Sequence, residues 1–324
     1  MSELSVHEVS KLYRGTARGG GFTLALRKVS FELKQGEVIS LIGESGSGKT
    51  TLGKVILRLE RPTSGAVTFG GKDIATYSQR GLREYYRFVQ GVFQDPFSSY
   101  NPIYRADRVF DLVRDVYFAH VSGKDWNDKI DAALHAVALN PGDVLGKYPH
   151  QLSGGQQQRL LIARALLLDV RVLVADEIIS MLDASTRVDV LNLLVSLKRA
   201  GLAILFITHD LSLGNYVSDR TIILRHGAIV EMGATPEVFG NPQHDYTKML
   251  LSAVPELQKK WHHTALGPVA MPVSPGAEPV VRRDLRALLG GTRAVSSGKS
   301  AVALTLEPPV LHEFEPGHLV ADAE

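Results

Sequence analysis

Residues 37–56 constrain the fold more than any other stretch. Glu37-Val-Ile-Ser-Leu-Ile is a short apolar run that ends in Gly43-Glu-Ser-Gly-Ser-Gly-Lys49-Thr50, and a helical pattern starts at Lys49. The spacing G-x-x-x-x-G-K-[ST] therefore falls between a predicted strand and a predicted helix, the setting in which it has chemical meaning. Glycines let successive backbone N–H groups turn into one concavity, and the helix start adds partial positive charge. Gly43, Ser45, Gly46, Ser47 and Gly48 form the cradle. Lys49 is long enough to reach the outer phosphates of a nucleotide, and the Thr50 hydroxyl suits Mg²⁺. Thr51, one step on, is placed for an inner phosphate. The alternative is a glycine-rich turn with an incidental lysine, and the strand–turn–helix context argues against it.

Such a site needs an acidic residue at the end of a second strand to hold the metal. Val172-Leu-Val-Ala-Asp176-Glu177 supplies it. Asp176 follows four apolar residues, so it emerges at a strand's C-terminal end, where open α/β sheets bind ligands. Adjacent strand residues project differently, so one carboxylate can face Mg²⁺ while Glu177 faces an attacking water. A solvated acidic pair in a loop is the plainer alternative.

The rest of the chain fits an α/β core with a helical insertion. Phe22-Thr-Leu-Ala-Leu-Arg and Val29-Ser-Phe-Glu-Leu read as strands, with Gly36 marking a turn. Helical patterns occupy Ala106 to Phe118, Trp126 to Ala138 and Gly155 to Leu168. Strands return at Val172 and at Ala203-Ile-Leu-Phe-Ile-Thr, each followed by a helix pattern, as in parallel sheets with crossover helices. Beyond Pro255 the composition shifts, and Gly267-Pro-Val-Ala-Met-Pro-Val-Ser-Pro reads as a linker or poorly ordered arm. No repeat is present. The 324 residues carry a net charge of +2 with no dense basic block, which gives no support to a nucleic-acid partner. With no cysteine there are no disulfides, thiolate metal sites or cysteine nucleophiles. Neither a signal-peptide core at the N-terminus nor an apolar run of ~18 residues appears, so the chain is expected to be soluble and to reach any membrane through a partner.

One stretch is unusual for a plain helix start: Leu152-Ser153-Gly154-Gly155-Gln156-Gln-Gln-Arg, ahead of the apolar Leu160-Leu-Ile. Ser153 is a natural N-cap, but the same helix start can also face an anion. Taken with the phosphate loop and Leu173-Val-Ala-Asp-Glu177, it resembles the signature of the ATPase domain of ABC proteins. The other elements of that family follow in order. Val92-Phe-Gln94-Asp-Pro resembles the Q-loop, Ser180-Met-Leu-Asp183 the D-loop and Phe206-Ile-Thr-His209-Asp the switch histidine. Tyr13 in Ser10-Lys-Leu-Tyr matches the aromatic that stacks on adenine. The resemblance covers residues 3 to 250.

It implies a RecA-like core with an antiparallel β subdomain and a helical subdomain at about 97–168, all within residues 1–254. It also implies ATP and Mg²⁺ as ligands, with Thr50, Gln94 and Asp176 around the metal. Glu177 would be the general base, with His209 and Gln94 contacting the water and γ-phosphate. Residues 152–156 would close over ATP held by a second ATPase subunit, with glycine at 154 and 155 because a β-carbon would hold the backbone off the phosphate. One departure stands out: Ile178 replaces the proline usual after the catalytic glutamate.

The C-terminal side resembles one group within the family. Phe239-Gly-Asn-Pro-Gln-His-Asp-Tyr246-Thr-Lys-Met-Leu-Leu-Ser-Ala-Val-Pro255, Phe97-Ser-Ser-Tyr-Asn101-Pro102 and Glu307-Pro-Pro-Val-Leu-His resemble ATPase subunits of dipeptide, oligopeptide and nickel importers. Residues 255–324 are accordingly set apart as a C-terminal extension acting in docking or regulation. In relatives this extension often carries cysteines, which in some members ligate an iron–sulfur cluster; with no cysteine here, no cluster is expected. The implied partners are a second, related ATPase subunit, two membrane permease subunits and an extracytoplasmic solute-binding protein. Residues Gln94 to Asn101 are the candidates for contact with the membrane subunit, with Phe97 and Tyr100 either anchoring it or serving as ordinary core aromatics. The chain would then sit peripherally on the cytoplasmic face of the inner membrane. Di- or oligopeptides are the expected cargo. An oligosaccharide is the alternative cargo, and action on ribosomes or DNA the alternative of another class.

Overall fold

The computed structural model describes residues 2–14, 22–253 and 309–322. The proline-rich stretch from Gly267 and the residues around Glu307 lie outside them.

The chain opens with β1 (Ser2–Arg14) and β2 (Phe22–Lys34), an antiparallel pair. The two apolar runs predicted at 22–27 and 29–33 form one strand, interrupted at Lys28, where φ is 42° and the N–H donates to Ser10 Oγ at 2.9 Å. A local kink of this kind adds twist without ending the strand. Next, β3 (Val38–Ile42) enters a second sheet and delivers the phosphate loop to α1 (Lys49–Ile56). The chain returns to the first sheet with β4 (Ser64–Phe69) and β5 (Lys72–Asp73), giving the order β2-β1-β4-β5. It then goes back through α2 (Gln79–Phe88) to β6 (Val89–Val92).

The predicted helical insertion follows as α3 (Arg108–Tyr117), α4 (Gly123–Ala136), the one-turn α5 (Pro141–Val144) and α6 (Gly154–Leu166). Serine or asparagine side chains cap α4, α5 and α6, which is why these helices start where they do. The core resumes with β7 (Val172–Asp176), α7 (Ala184–Arg199), β8 (Ala203–Thr208) and α8 (Leu211–Val217). A hairpin of β9 (Arg220–Arg225) and β10 (Ala228–Ala234) leads to α9 (Thr235–Gly240) and α10 (Asp245–Ser252). The last described elements are β11 (Leu311–Glu315) and β12 (His318–Ala321).

The second sheet runs β11-β12-β10-β9-β3-β8-β7-β6. The five strands from β6 to β9 are mutually parallel, and β10, β12 and β11 add on antiparallel. Every residue of β3, β7 and β8 is buried, the reason their sequences are near-continuous apolar runs, with Ser40, Asp176 and Thr208 as the polar members, instead of alternating ones. One apolar cluster joins Phe110, Trp126 and Leu134 of the helical insertion to Leu173 and Phe206 of the sheet, so the insertion shares a core with it.

The end of the chain adds a feature that composition did not convey. Residues 311–321, assigned by sequence to an extension, extend the sheet that carries the phosphate loop. Met232 pairs with Leu319 and Glu231 with Val320, and Ala321 packs with Val230, Val238 and Tyr246. Tyr100, which the sequence leaves open as an anchor or a core aromatic, is a core residue: it is 7% exposed and its hydroxyl donates to the Gln157 carbonyl at 2.9 Å. A buried phenol needs a partner, and the Gln157 carbonyl in the first turn of α6 accepts from it as well. Phe97 does lie at the surface, 53% exposed, near Ile103 and Tyr104 in sequence, which are also exposed.

Leu134 is fully buried at the centre of the helical cluster. Leu134→Ala should cost about 2–5 kcal/mol, read as a lower urea midpoint with an unchanged slope.

Candidate active site

Five separate segments converge on one cavity of about 570 Å³. Its walls are Ser45, Gly46, Gly48, Lys49, Thr50 and Thr51 of the phosphate loop, Ala25 of β2, Gln94 after β6, Glu177 after β7 and His209 after β8. The last three follow the C-terminal ends of parallel strands, where helix and loop starts leave polar groups unpaired.

The loop is shaped by what lies behind it. A β-carbon on Gly43 would come within 2.2 Å of the Leu224 carbonyl oxygen, and one on Gly48 within 2.5 Å of the Ala25 carbonyl oxygen. Gly48 also has φ of 108°, a conformation that side chains oppose. Gly227 N–H donates to the Ser47 carbonyl at 2.9 Å. Lys49 Nζ donates to the carbonyls of Gly43 at 2.7 Å and Glu44 at 2.8 Å. Burial pushes the Lys49 ammonium below its ordinary range, against the pull of Glu177, Asp176 and Glu44. A desolvated cation resting on neutral carbonyls gains from a phosphate oxygen.

Asp176 is 4% exposed, and one of its carboxylate oxygens, Oδ1, has no partner, as is also true of Ser47 Oγ. Burial pushes the Asp176 carboxyl up, while a hydrogen bond from the Thr50 side chain pulls the other way. A buried, half-satisfied carboxylate beside a threonine hydroxyl, with the Gln94 amide lining the same cavity, is an all-oxygen donor set of the kind Mg²⁺ prefers. The residues fit that ion.

Glu177 has φ of 50°, a left-handed conformation uncommon outside glycine. Its N–H donates to the Ile207 carbonyl at 2.9 Å, and its Oε1 stands 3.2 Å from His209 Nδ1. The backbone turn directs Glu177 into the cavity while Asp176 stays buried. Strain at such a position is held by its surroundings. Ile178, at the family's proline position, is 1% exposed and packs with Ile179 and Leu182 in the main core, so apolar burial anchors the segment after Glu177.

None of Leu152, Ser153, Gly154, Gly155 and Gln156 lines this cavity. Ser153 and Gln156 form a reciprocal capping box at the start of α6, with Ser153 Oγ accepting from Gln156 N–H and Gln156 Oε1 from Ser153 N–H. The two glycines differ. A β-carbon at Gly154 would make only ordinary contact with Leu182, whereas one at Gly155 would come within 2.4 Å of Thr186 Cγ2. Gly155 is thus required by the packing of α6 on α7 within this chain, a reason the sequence did not offer. Asp183 caps α7, accepting from Thr186 N–H and from the Ser185 and Thr186 hydroxyls. Those bonds hold its carboxyl well below the usual carboxylate range.

Tyr13 is not among the lining residues. It pairs with Thr23, two residues before Ala25, and Lys11 Nζ lies 4.9 Å from its ring centroid. Ala25 itself went unnoticed in the sequence, where an alanine in a strand carries no signal. His312 and His318 each meet a carboxylate, Asp322 at 3.0 Å and Glu231 at 2.8 Å. Among the described residues no group of three or more potential ligands is placed to hold a metal through histidine and carboxylates alone.

Comparison with known proteins identifies the family. Residues 26–180 match the ABC transporter family model, and residues 230–275 match the oligopeptide/dipeptide transporter C-terminal region. A Brucella ovis relative, named for peptide import and ATP binding, is 38% identical over 98% of this chain and 96% of its own length. The oligopeptide transport ATP-binding protein AppF of Bacillus subtilis is 41% identical over 74% of this chain and 73% of its own. An ATP-binding cassette solved as a dimer in a post-hydrolysis state with ADP and phosphate superposes with a TM-score of 0.64 at 28% identity. It covers 72% of this chain and 98% of the cassette.

The Gly155 contact is open to a compensation test. Gly155→Ala should lower stability by about 1–3 kcal/mol through overpacking. Adding Thr186→Ser, which deletes Cγ2 but keeps the hydroxyl that bonds Asp183, should recover most of the loss. Paired thermal melts would show it, and failure of the double substitution to recover would assign the glycine another cause.

Proposed function

The chain belongs to the ABC transporter family, and on that premise we propose that it is the ATP-hydrolysing subunit of an importer for di- and oligopeptides. One observation carries the chemistry: Lys49, Thr50, Gln94, Glu177 and His209 meet in a single cavity at the ends of parallel strands. The match over residues 230–275 and the names of the Brucella and Bacillus relatives carry the cargo, favouring peptide over oligosaccharide and transport over action on ribosomes or DNA.

ATP would lie with its phosphates along residues 43–51, where the loop N–H groups and the start of α1 receive negative charge. Mg²⁺, held by Thr50, Asp176 and Gln94, would neutralise charge on the phosphates. Lys49 would exchange the Gly43 and Glu44 carbonyls for phosphate oxygens. Glu177 takes the proton of the attacking water as general base, and His209, 3.2 Å away, holds the glutamate and reaches toward the γ-phosphate. Tyr13 would meet the adenine from β1.

Residues 152–156 do not line this cavity, which supports their action on ATP held by a second subunit. The dimeric arrangement of the cassette above is in keeping with that role. The capping box already orders Ser153 and the N–H groups of Gly154 and Gly155, so closing on a partner's phosphate adds little ordering cost. Asp183, at the head of α7, would face the same interface.

The second ATPase subunit is proposed to be a related chain, acting with two membrane permeases and an extracytoplasmic solute-binding protein at the cytoplasmic face of the membrane. Among the described residues no helix is long and apolar enough to cross a membrane, so contact with the bilayer falls to the permeases. The exposed Phe97, Ile103 and Tyr104 are the apolar residues offered to them.

Two substitutions and one isolation test this reading. Glu177→Gln should reduce ATP turnover at least 100-fold while leaving nucleotide binding intact, and rapid hydrolysis by that variant would remove Glu177 from its role. Lys49→Ala should weaken nucleotide binding itself, measured by titration of a fluorescent ATP analogue. Tagged Glu177→Gln protein extracted in mild detergent with ATP and Mg²⁺ should bring down two polytopic membrane proteins and a second ATPase. Recovery of ribosomes or nucleic acid instead would overturn the transport assignment.

A further inference from the structure

A phosphate loop must leave its N–H groups free for the ligand, so an N–H committed to a protein partner marks a point where the loop is held. Glu44 N–H is such a point. It donates to the hydroxyl of Tyr246 on α10 at 3.2 Å. Tyr246 is 4% exposed, and the Arg225 guanidinium lies 5.0 Å from its ring centroid.

Glu44 N–H and the Gly43 carbonyl belong to one planar peptide unit, on opposite sides of it. The Gly43 carbonyl accepts from Lys49 Nζ at 2.7 Å. Tyr246 and Lys49 thus hold the two ends of the same peptide plane. Fixing the N–H fixes the direction of the carbonyl on which the lysine rests.

Tyr246 is itself set by the end of the chain. Its N–H donates to His244 Nδ1 at 3.0 Å, the cap of α10. The N–H groups of Gln243 and His244 donate to Glu231 Oε1 at 2.9 Å and Oε2 at 3.0 Å. Both oxygens are acceptors, so the Nε2 of His318, 2.8 Å from Oε1, is the donor in that pair. Glu231 and His318 are both fully buried. The strand β12 is therefore joined to the phosphate loop by a continuous run of hydrogen bonds.

We propose that Tyr246 is a positioning residue for the phosphate loop, and that through it the C-terminal hairpin contributes to ATP affinity. The proposal rests on the ATPase reading above. It assigns the hairpin a role in nucleotide binding in addition to its place in the sheet.

The test is titration of the full chain with a fluorescent ATP analogue and Mg²⁺, alongside steady-state hydrolysis. Tyr246→Phe keeps the ring and removes the hydroxyl. Its dissociation constant should rise about three- to tenfold, the worth of one net hydrogen bond, with kcat at saturating ATP within about twofold of wild type. Tyr85→Phe is the structural control, because it removes a buried hydroxyl that donates to the Ile56 carbonyl at the far end of α1. It should leave ATP affinity unchanged. His318→Ala should weaken binding in the same direction, and His318→Gln, which keeps a donor toward Glu231, should restore it. Should His318→Ala lack a cooperative melt, Glu231→Gln replaces it with the same expected weakening.

Wild-type affinity in Tyr246→Phe, or equal weakening in Tyr85→Phe, would overturn the positioning role. Wild-type affinity in the His318→Ala or Glu231→Gln variant would overturn the part played by the hairpin. Absence of nucleotide binding by the wild-type chain, or Lys49→Ala binding as tightly as wild type, would instead overturn the ATPase reading itself.

Discussion

The backbone from Gly43 to Gly48 is held by close contact from behind, and the rest of the site depends on that contact. The carbonyl oxygens of Leu224 and Ala25 press where β-carbons of Gly43 and Gly48 would stand. One carbonyl belongs to β9 of the large sheet and the other to β2 of the small one, so both sheets must be in place before the loop has its shape. Gly46 differs: no atom lies within 4 Å of its virtual β-carbon, and its φ of 83° is the feature that asks for glycine. A loop wedged in this way cannot collapse into the space its ligand needs, and its dipoles are oriented before the ligand arrives.

The charged groups of the cavity share a second trait: each is incompletely satisfied by its neighbours. Lys49 rests on carbonyls and not on a carboxylate, Asp176 has an oxygen without a partner, and Glu177 is carried on a left-handed residue next to an exposed His209. In a structural cluster such groups would pair off with one another. Here burial raises the free energy of the unliganded site, and a phosphate chain with its cation relieves it at several points together.

Much of this was legible in the sequence because it is local. The phosphate loop announces itself through a buried strand, a glycine spacing and a helix start within twenty residues. Asp176, Glu177 and His209 follow apolar runs that could only be buried strands. The helix cap at Ser153 could be read for the same reason. What the sequence did not disclose depends on residues far apart in the chain. Nothing local decides that Tyr100 is core until the Gln157 carbonyl is brought to its hydroxyl, and nothing near Gly155 in sequence shows that Thr186 is packed against it. Ala25 carries no chemical signal at all. The hairpin at 311–321 has mixed polarity and follows a shift in composition, so nothing local to it points to β10 as its neighbour. Only the pairing of Met232 with Leu319 and the burial of His318 against Glu231 reveal its place.

The late position of β12 also bears on how the protein is made. A chain leaving the ribosome completes β3, β7, β8, β9 and β10 well before His318–Ala321 appears, and N-terminal portions fold first. Until then β10 presents an open edge, a row of unpaired N–H and C=O groups that can recruit another strand. Closing that edge falls to residues 318–321, which come well after β10 in the chain. A chain interrupted before them would therefore hold every residue that lines the cavity beside an adhesive flank, a substrate for chaperones and proteases before it is an enzyme.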